Sequence, residues 1–516
     1  MAEPVLPSVL PSVLTVERCL ELDGREEFPG EICRALTDLG AERHYLPGVP
    51  AERLLALIRS LAGRDFTVAL AHCKTYLGSV ATWVGGTPEQ VAALSARVSG
   101  GAVVSLALTE RDHGSDVLAG EVTATPVPGG YRLDGEKWLI NNATRADVVC
   151  VLARTGDSGD ARGFSLFLVD KDTLPAHAYR CLPKVATHGV RGADISGIAF
   201  TGAVVPPEAM VGEPGTGLEV LLKGLQLTRT LCGGMSLGMG EHALRIVLDF
   251  AERHHMYGRP LADLPLTTRA LADSYVDLLV AEAVTVVSTR SIHSLTGEQS
   301  LVSAVVKYYV PTLIDRTLQR LAKVLGARAL LTDGPFQKIW RDHAIVGVFD
   351  GNTWVNLGTL VNQFPALVRG YRRGRVDAAG LAAATGLKQP LPPLDPARLS
   401  LAARDGCSLV QSLAGDPDAP LELRERADRL HEAMAGWRPR GREVPPELFG
   451  LAREYARLYA AAACVRLWAD NALDDVWLRA CLARVFDRPD AATDHLLDLT
   501  RRGRAFSFLR GVDHDA

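Results

Sequence analysis

The rhythm of apolar and polar positions changes along this 516-residue chain. Up to about residue 100 the apolar positions recur at helical spacing, as in Ala51-Glu52-Arg53-Leu54-Leu55-Ala56-Leu57-Ile58. Thr87 before Pro88-Glu89-Gln90-Val91 predicts a capped helix start. After Gly100-Gly101 the pattern shifts to short apolar runs between turn residues. Val122–Thr125 and Tyr131–Leu133 flank Pro128-Gly129-Gly130 and predict a hairpin. Asp134-Gly135 predicts another turn, leading into Trp138-Leu139-Ile140. Val148–Ala153, Phe164–Val169 and Ile198–Phe200 complete the expectation of a small antiparallel barrel or sandwich. From Gly217 helical spacing returns, over about 217–252, 266–293 and 300–330. Gly233, Gly234, Gly238 and Gly240 interrupt the first of these runs. Each weakens a helix interior by about 1 kcal/mol relative to alanine, so close packing or ligand contact is expected, and packing is the commoner reason. A last stretch, about 376–516, is rich in Ala, Leu and Arg. It opens on Pro390, Pro392, Pro393 and Pro396, a linker signal, continues with helical patterns at about 421–436, 446–470 and 474–486, and carries no chemical motif.

Composition narrows the class. The length suggests roughly three domains as a prior and is enough to bury a sizeable core. Hydrophobic residues at 47% and charged residues at 22% are ordinary for a soluble globular protein. A net charge of −4 gives no bulk positive field for nucleic acid or an anionic membrane. Thirteen histidines form no cluster with Cys or carboxylates at metal-ligand spacing, so no metal site is expected. Nine cysteines, an odd number with no C-x-x-C, suit reduced thiols in a cytoplasm. At the N-terminus Val5 to Leu14 is apolar, but Pro7 and Pro11 interrupt it and no basic segment precedes it. A disordered or loosely docked arm is expected there rather than a signal peptide. No window has the length and purity of a membrane-spanning helix.

Two segments carry candidate chemistry. In Ala107-Leu108-Thr109-Glu110-Arg111-Asp112-His113-Gly114-Ser115-Asp116, two hydroxyls, a glycine and acids fall within one short turn. Such a turn offers N–H groups and hydroxyls to the edge of a planar polar ligand. Farther on, the apolar run Ala344–Phe349 should be buried; it ends at Asp350, with Gly351 and a candidate N-cap, Asn352, after it. A carboxylate at the edge of an apolar segment has its pKa raised by desolvation, while a helix N-terminus pulls the other way. That acid suits a general base, and an Asp before Gly-Asn equally suits a turn or cap.

The first segment resembles the first signature of the acyl-CoA dehydrogenase flavoproteins, and other segments resemble further motifs in the same order. Gly135-Glu136-Lys137-Trp138-Leu139-Ile140-Asn141-Asn142-Ala143 resembles the family's strand beside the flavin. Arg253 to Leu261, with Tyr257-Gly258-Arg259, resembles its arginine-x-x-aromatic-glycine motif. Trp340-Arg341-Asp342 followed by Val348-Phe349-Asp350-Gly351-Asn352-Thr353 resembles the segment with the catalytic acid. The resemblance spans about 15–375 and implies a mainly α fold with a small β domain: an N-terminal helical domain (1–100), a central β-barrel (101–210) and a helical bundle (211–375). A C-terminal helical extension (376–516) lies outside it, as in some family branches.

The resemblance also implies chemistry. FAD would be held by Leu108, Thr109, Gly114, Ser115, Leu139, Asn141 and Asn352, with His254, Tyr257, Lys323 and Gly326 at positions the family turns toward FAD, some of them to a neighbouring subunit's. Asp350 would be the base, and Ser115, Arg229, Phe349 and Gly351 would meet substrate. The implied reaction is α,β-dehydrogenation of an acyl thioester carried by CoA or an acyl-carrier protein, in a cytoplasmic homodimer, with an electron-transfer flavoprotein as a partner. Departures are specific. Asp350 stands for a usual glutamate and is about 1.5 Å shorter. Leu139 replaces an aromatic residue, Asn141 a threonine, His254 an arginine and His113 a small residue. Leu325-Gly326-Ala327-Arg328 keeps one glycine of a usual pair, and Lys323 and Arg328 are either pyrophosphate ligands or surface charges. These departures leave an acyl-CoA oxidase-like enzyme, or a scaffold that kept the fold without catalysis, as alternatives.

Overall fold

The computed structural model describes residues 10–157, 159–438 and 444–488. Of the expected N-terminal arm, Leu10–Val13 forms one helical turn and residues 5–9 lie outside the described residues. So do residues 489–516 of the expected extension.

Several helices begin where the sequence supplies caps. Helix α1 (Ala51–Ala62) starts after Pro50. Asp65 caps α2 (Phe66–Gly85) by accepting from the Val68 N–H at 2.9 Å. Thr87 and Gln90 form the full reciprocal capping box of α3 (Pro88–Ser99). Then come α4 (Gly217–Arg253), α5 (Pro265–Ser294), α6 (Gln299–Leu325) and α7 (Pro335–His343). Helix α6 stops five residues short of the expected 330, because Gly326 takes φ +60° and turns the chain. Asn352 caps α8 (Thr353–Arg373), its side-chain oxygen accepting from the Val355 N–H at 3.0 Å. The described end of the chain holds α9 (Leu448–Asn471) and α10 (Asp475–Val485), the latter capped by Asp474.

The described residues divide into two compact units, one within 10–49 and 65–228, the other within 50–64 and 229–488. The first holds the sheet: β1 (Val104–Ala107), β2 (Thr123–Val127), β3 (Gly130–Asn141), β4 (Val148–Arg154), β5 (Phe164–Asp170), β6 (Tyr179–Leu182), β7 (Ile195–Val205) and β8 (Met210–Val211). Their order is β6-β7-β3-β2-β4-β5-β8, with β1 also on β4. The expected hairpin is β2–β3, with Val127 opposite Gly130. Two expectations are corrected. The sheet is not wholly antiparallel, since β1 runs parallel to β4, Val104 opposite Val148. Nor is Asp134-Gly135 a turn. The chain continues through it as β3, with a bulge between Leu133 and Gly135 and φ +124° at the glycine. The reason is a cross-strand partner: Asp134 accepts from the Gly202 N–H of β7 at 2.7 Å, so the pair is absorbed as a bulge.

Strand alternation places two apolar faces. Val149, Val151 and Ala153 of β4 join Leu133, Phe167 and Phe200 in one cluster. Cys150 and Leu152 point the other way, to Phe164, Leu166, Leu221 and Leu225. That double burial is why β4 reads as an unbroken apolar run. Each buried large side chain contributes about 1.5–3 kcal/mol.

In the second unit α5 packs against α6, α9 and α10, and α8 against α6 and α9. The α4 glycines are packing glycines. A Cβ at Gly233 would fall 2.6 Å from Thr285 Oγ1, and one at Gly238 would clash with the Arg59 carbonyl. Buried charges are paired, with Arg59 held between Glu241 and Glu282. Arg290 ties down the proline-rich stretch. It donates to the carbonyls of Ala383, Gly386 and Gln389 and pairs with Glu52 at 2.6 Å, so carbonyls left open at a helix end are satisfied.

Candidate active site

In the first unit the loop after β1 is fastened to β3. Trp138 N–H donates to the Thr109 carbonyl at 2.9 Å, and the Thr109 hydroxyl donates back to the Trp138 carbonyl at 2.8 Å. Beneath them lies a buried ion pair, Lys137 Nζ to Glu110 Oε1 at 2.8 Å. Lys137 also donates to the Leu108 carbonyl at 3.0 Å, and Glu110 accepts from the N–H groups of Glu121 and Val122. Burial works to raise the Glu110 pKa, but Lys137 and those N–H groups win and hold it below the usual carboxylate range. The loop is therefore anchored by its acid, while Gly114 and Ser115 stand exposed at its tip. His113 is half-buried, 3.4 Å from Glu121.

Strand β3 brings Leu139 and Asn141 after that anchor. Leu139 takes φ +56° and is 43% exposed. A left-handed backbone at a non-glycine residue costs on the order of 1–3 kcal/mol and clusters at functional sites. Asn141 donates from Nδ2 to the Leu70 carbonyl at 3.4 Å, while its Oδ1 is buried with no partner among the described residues.

The second unit holds the acid. Asp350 also has a left-handed backbone, φ +54°, and Gly351 follows at φ +101°. Three hydrogen bonds clamp the carbonyls around it. Arg229 Nε donates to the Asp350 carbonyl at 2.5 Å. Lys307 Nζ donates to the carbonyls of Val346 at 2.5 Å and Gly351 at 3.2 Å, and lies 5.1 Å from the Phe349 ring centre. Lys307 is fully buried. Burial lowers the Arg229 pKa, with Asp350 and Cys232 opposing. The Cys232 thiol lies 4.0 Å from Asp350 Oδ2. The expected burial of Ala344–Phe349 is corrected: only Val346 is buried and Val348 is 56% exposed. The segment is a run of turns after α7 and so has no single inward face.

The structure thus brings Arg229, Phe349, Asp350, Gly351 and Asn352 together. Reading the sequence alone missed Lys307 and Cys232, whose partners lie far along the chain; a lysine inside the apolar run Val305-Val306-Lys307 was the available signal. Ser236, His343 and Asp315 also line up, His343 being 2.9 Å from the serine and 2.6 Å from the aspartate. They have the partners of a nucleophile triad, but Ser236 and His343 are wholly buried, which suits a strut between helices. Among the described residues no group of three or more His, Cys, Asp or Glu is placed to hold a metal ion.

Family models match two adjoining stretches: the acyl-CoA dehydrogenase middle domain over residues 105–203 and the acyl-CoA dehydrogenase C-terminal domain over 215–363. The chain belongs to the acyl-CoA dehydrogenase family. It is 26% identical over 346 residues to the cyclohex-1-ene-1-carbonyl-CoA dehydrogenase of Geobacter metallireducens, covering 66% of this chain and 90% of that one. Its fold is similar to that of butyryl-CoA dehydrogenase from Megasphaera elsdenii (TM-score 0.63, 22% identity, 68% of this chain and 97% of that one). It is also similar to the prolyl acyl carrier protein oxidase AnaB (TM-score 0.61, 18% identity, 68% and 97%).

The remaining positions singled out by the family motifs lie in the second unit, around the ends of α4 and α6. His254 stacks on Phe250, ring centres 4.9 Å apart, and Arg328 covers the same Phe250 ring at 5.2 Å. Tyr257, φ +55° and 87% exposed, tips the hairpin His255–Pro260. Lys323 and Gly326 are exposed, and the space around a Cβ at Gly326 is open.

Proposed function

We propose that this acyl-CoA dehydrogenase family member is an FAD-dependent oxidoreductase acting on CH–CH groups, converting an acyl thioester to its enoyl thioester with Asp350 as the base. The observation that carries this reading is the Asp350 turn. A left-handed aspartate costs free energy, and Arg229 and Lys307 hold its neighbouring carbonyls in place. A mere turn residue needs no such clamp.

The residues fit a flavin. Asn141 Oδ1 is a buried acceptor without a donor among the described residues, a loss of about 1–3 kcal/mol that the ring-edge N–H of a flavin would recover. Leu139 offers an exposed apolar surface, and a Cβ at Gly114 would meet open space. Leu108, Thr109, Ser115 and Asn352 are the further candidates to hold the group, with His254, Tyr257, Lys323 and Gly326 candidates toward its pyrophosphate end. Bound FAD supplies the hydride acceptor.

The protein's own residues handle the proton and the carbonyl. Asp350 takes the α-proton. Its amide N–H donates to the thioester carbonyl and stabilises negative charge as it develops there. The left-handed backbone redirects the Asp350 Cβ, which is how a side chain one methylene short reaches the α-carbon. Arg229, Phe349 and Gly351 of the second unit are candidates to meet substrate, and Ser115 is the candidate of the first.

The carrier is CoA or an acyl-carrier protein, and the electrons pass to an electron-transfer flavoprotein. The exposed Tyr257 is suited to burial against a second subunit, in keeping with a homodimer. Nine cysteines without a disulfide accord with a cytoplasmic site, and among the described residues no helix is long and apolar enough to cross a membrane. The likeness in fold to an acyl carrier protein oxidase supports a second reading, in which dioxygen takes the electrons. Anaerobic titration of the flavin absorbance with acyl-CoA and acyl-carrier substrates tests the proposal. Bleaching by one of them, lost in Asp350→Asn with FAD retained, is the expected result. Bleaching at full rate in that variant removes Asp350 as base, and no bleaching by any thioester leaves the fold as a scaffold. Fast reoxidation by air selects the oxidase.

A further inference from the structure

Where α6 passes α9 and α10, within the second unit, lies a cavity of about 210 Å³ lined by none of the residues around Asp350. Its wall carries Arg316, Arg320, Arg453, Arg457 and Arg484 against only Asp277, Glu454 and Asp487. Those acids are already engaged. Asp277, 1% exposed, is shared by Arg320 at 2.6 Å and Arg484 at 2.9 Å, and Arg484 also reaches Asp273 at 3.6 Å. Asp487 meets Arg457 at 2.8 Å, and Glu454 pairs with Arg426, which is not a wall residue. Arg316 and Arg453 have no acid partner among the described residues; Arg453 only faces the Trp354 ring at 5.9 Å.

Two tyrosines complete the wall. Tyr308 and Tyr309 are each more than nine-tenths buried as residues, and both line the cavity. Burial raises the pKa of both phenols, so each keeps its proton and remains a donor. A phenol hydroxyl can donate to a ligand's oxygen, and here both tyrosines border a cavity where two guanidinium groups also lack counter-charge.

We infer that this cavity is a binding site for a phosphate-bearing small molecule. The free groups are all donors, and the uncompensated charge is that of two arginines. The matching ligand has several acceptor oxygens, no need of a cation and about two negative charges. A phosphate monoester carries roughly −1.5 to −2 at pH 7 with its oxygens on one centre, and guanidinium forks pair with it through two parallel bonds. A neutral ligand would leave Arg316 and Arg453 unbalanced. A dicarboxylate has the charge but spreads it over two ends. The site joins α6, inside the family-matched region, to α9 and α10 beyond it, so it gives the extension a role that its sequence alone does not reveal.

Calorimetric titration of the full chain, purified with its flavin bound so that the cofactor's own phosphate site is filled, tests this. Inorganic phosphate and glycerol phosphate are the probes, at ionic strength held constant with chloride. Saturable one-site binding is expected, weakened at least about tenfold in Arg316→Ala/Arg453→Ala. Both arginines are exposed and without an acid partner, so the variant should fold with an unchanged melting temperature. Tyr308→Phe removes one hydroxyl, keeps the ring, and should weaken binding several-fold. Absence of saturable binding, equal binding of succinate, or phosphate binding undiminished in the variants would overturn the inference.

Discussion

Arg229 donates its Nε–H to the backbone carbonyl of Asp350 at 2.5 Å, and the residue after Asp350 is a glycine over which that guanidinium lies. A Cβ at Gly351 would come 3.0 Å from Arg229 Nη2, at a φ of +101° that side chains rarely adopt. The two residues are therefore coupled.

Gly351→Ala should lose about 1–3 kcal/mol of stability from the backbone alone. Turnover should fall further, because Arg229 must shift and the Asp350 carbonyl with it. Thermal melting together with single-turnover flavin reduction checks this. An alanine variant with unchanged melting temperature and unchanged rate would show that the turn is not strained as described.

Lys307→Met is expected to act on rate more than on binding. Its ammonium holds the carbonyls of Val346 and Gly351 on either side of Asp350. A misplacement of about 1 Å in a reacting group costs around a hundredfold. The expected outcome is a fall in kcat of that order with KM little changed, since the lysine touches backbone. Steady-state kinetics decide it; a rise in KM at constant kcat would instead place Lys307 on the substrate.

What was legible in the sequence was local. The Thr87–Gln90 capping box and the Asn352 cap each depend on residues three apart, so their geometry follows from the helix itself. The long helices announce themselves by spacing. The glycines of α4 could be read as packing because a helix interior tolerates them for few other reasons. What was not legible depends on distant partners. Asp134-Gly135 has the composition of a turn, and only Gly202 of β7 makes it a bulge. Ala344–Phe349 looks like a buried run, but with no regular element it exposes Val348. At the site, the family motifs pointed to Asp350 and Arg229, whereas Lys307, 43 residues before Asp350 in the chain, could be recognised only once both its carbonyl partners were in place.

Glu110→Gln removes the acid beneath the Thr109–Ser115 loop and leaves the Lys137 ammonium buried without a counter-charge. Breaking a buried pair from one side costs about 3–5 kcal/mol. The first unit should lose that much in denaturant unfolding, and flavin affinity should fall because the loop loses its anchor. Glu110 ionises below the usual range in the fold, so its contribution is complete above the unfolded carboxylate pKa and disappears as the pH drops through the folded value. The cost of Glu110→Gln should therefore shrink in strong acid. A variant as stable as the parent at neutral pH would show the pair to be dispensable.

Buried histidines, His72 and His431 among them, set an earlier acid limit. His72 is held by the Tyr45 hydroxyl at 2.5 Å and by Thr37 at 3.2 Å. His431 lies flat on Tyr371, ring centres 3.8 Å apart, and bonds to the Ala427 carbonyl at 2.7 Å. Burial lowers both from 6.5 to about 4. In the unfolded chain each takes up its proton near pH 6.5, while the folded protein refuses it until about 4. Stability is therefore full above pH 6.5 and declines below it, levelling off near pH 4, by about 3 kcal/mol per histidine. The expected unfolding free energy falls between pH 6.5 and 4, before most carboxylates titrate. His72→Gln and His431→Gln should each flatten part of that slope while lowering stability at pH 7.5, where the neutral ring's contacts are lost. A slope unchanged in both variants would assign the acid sensitivity elsewhere.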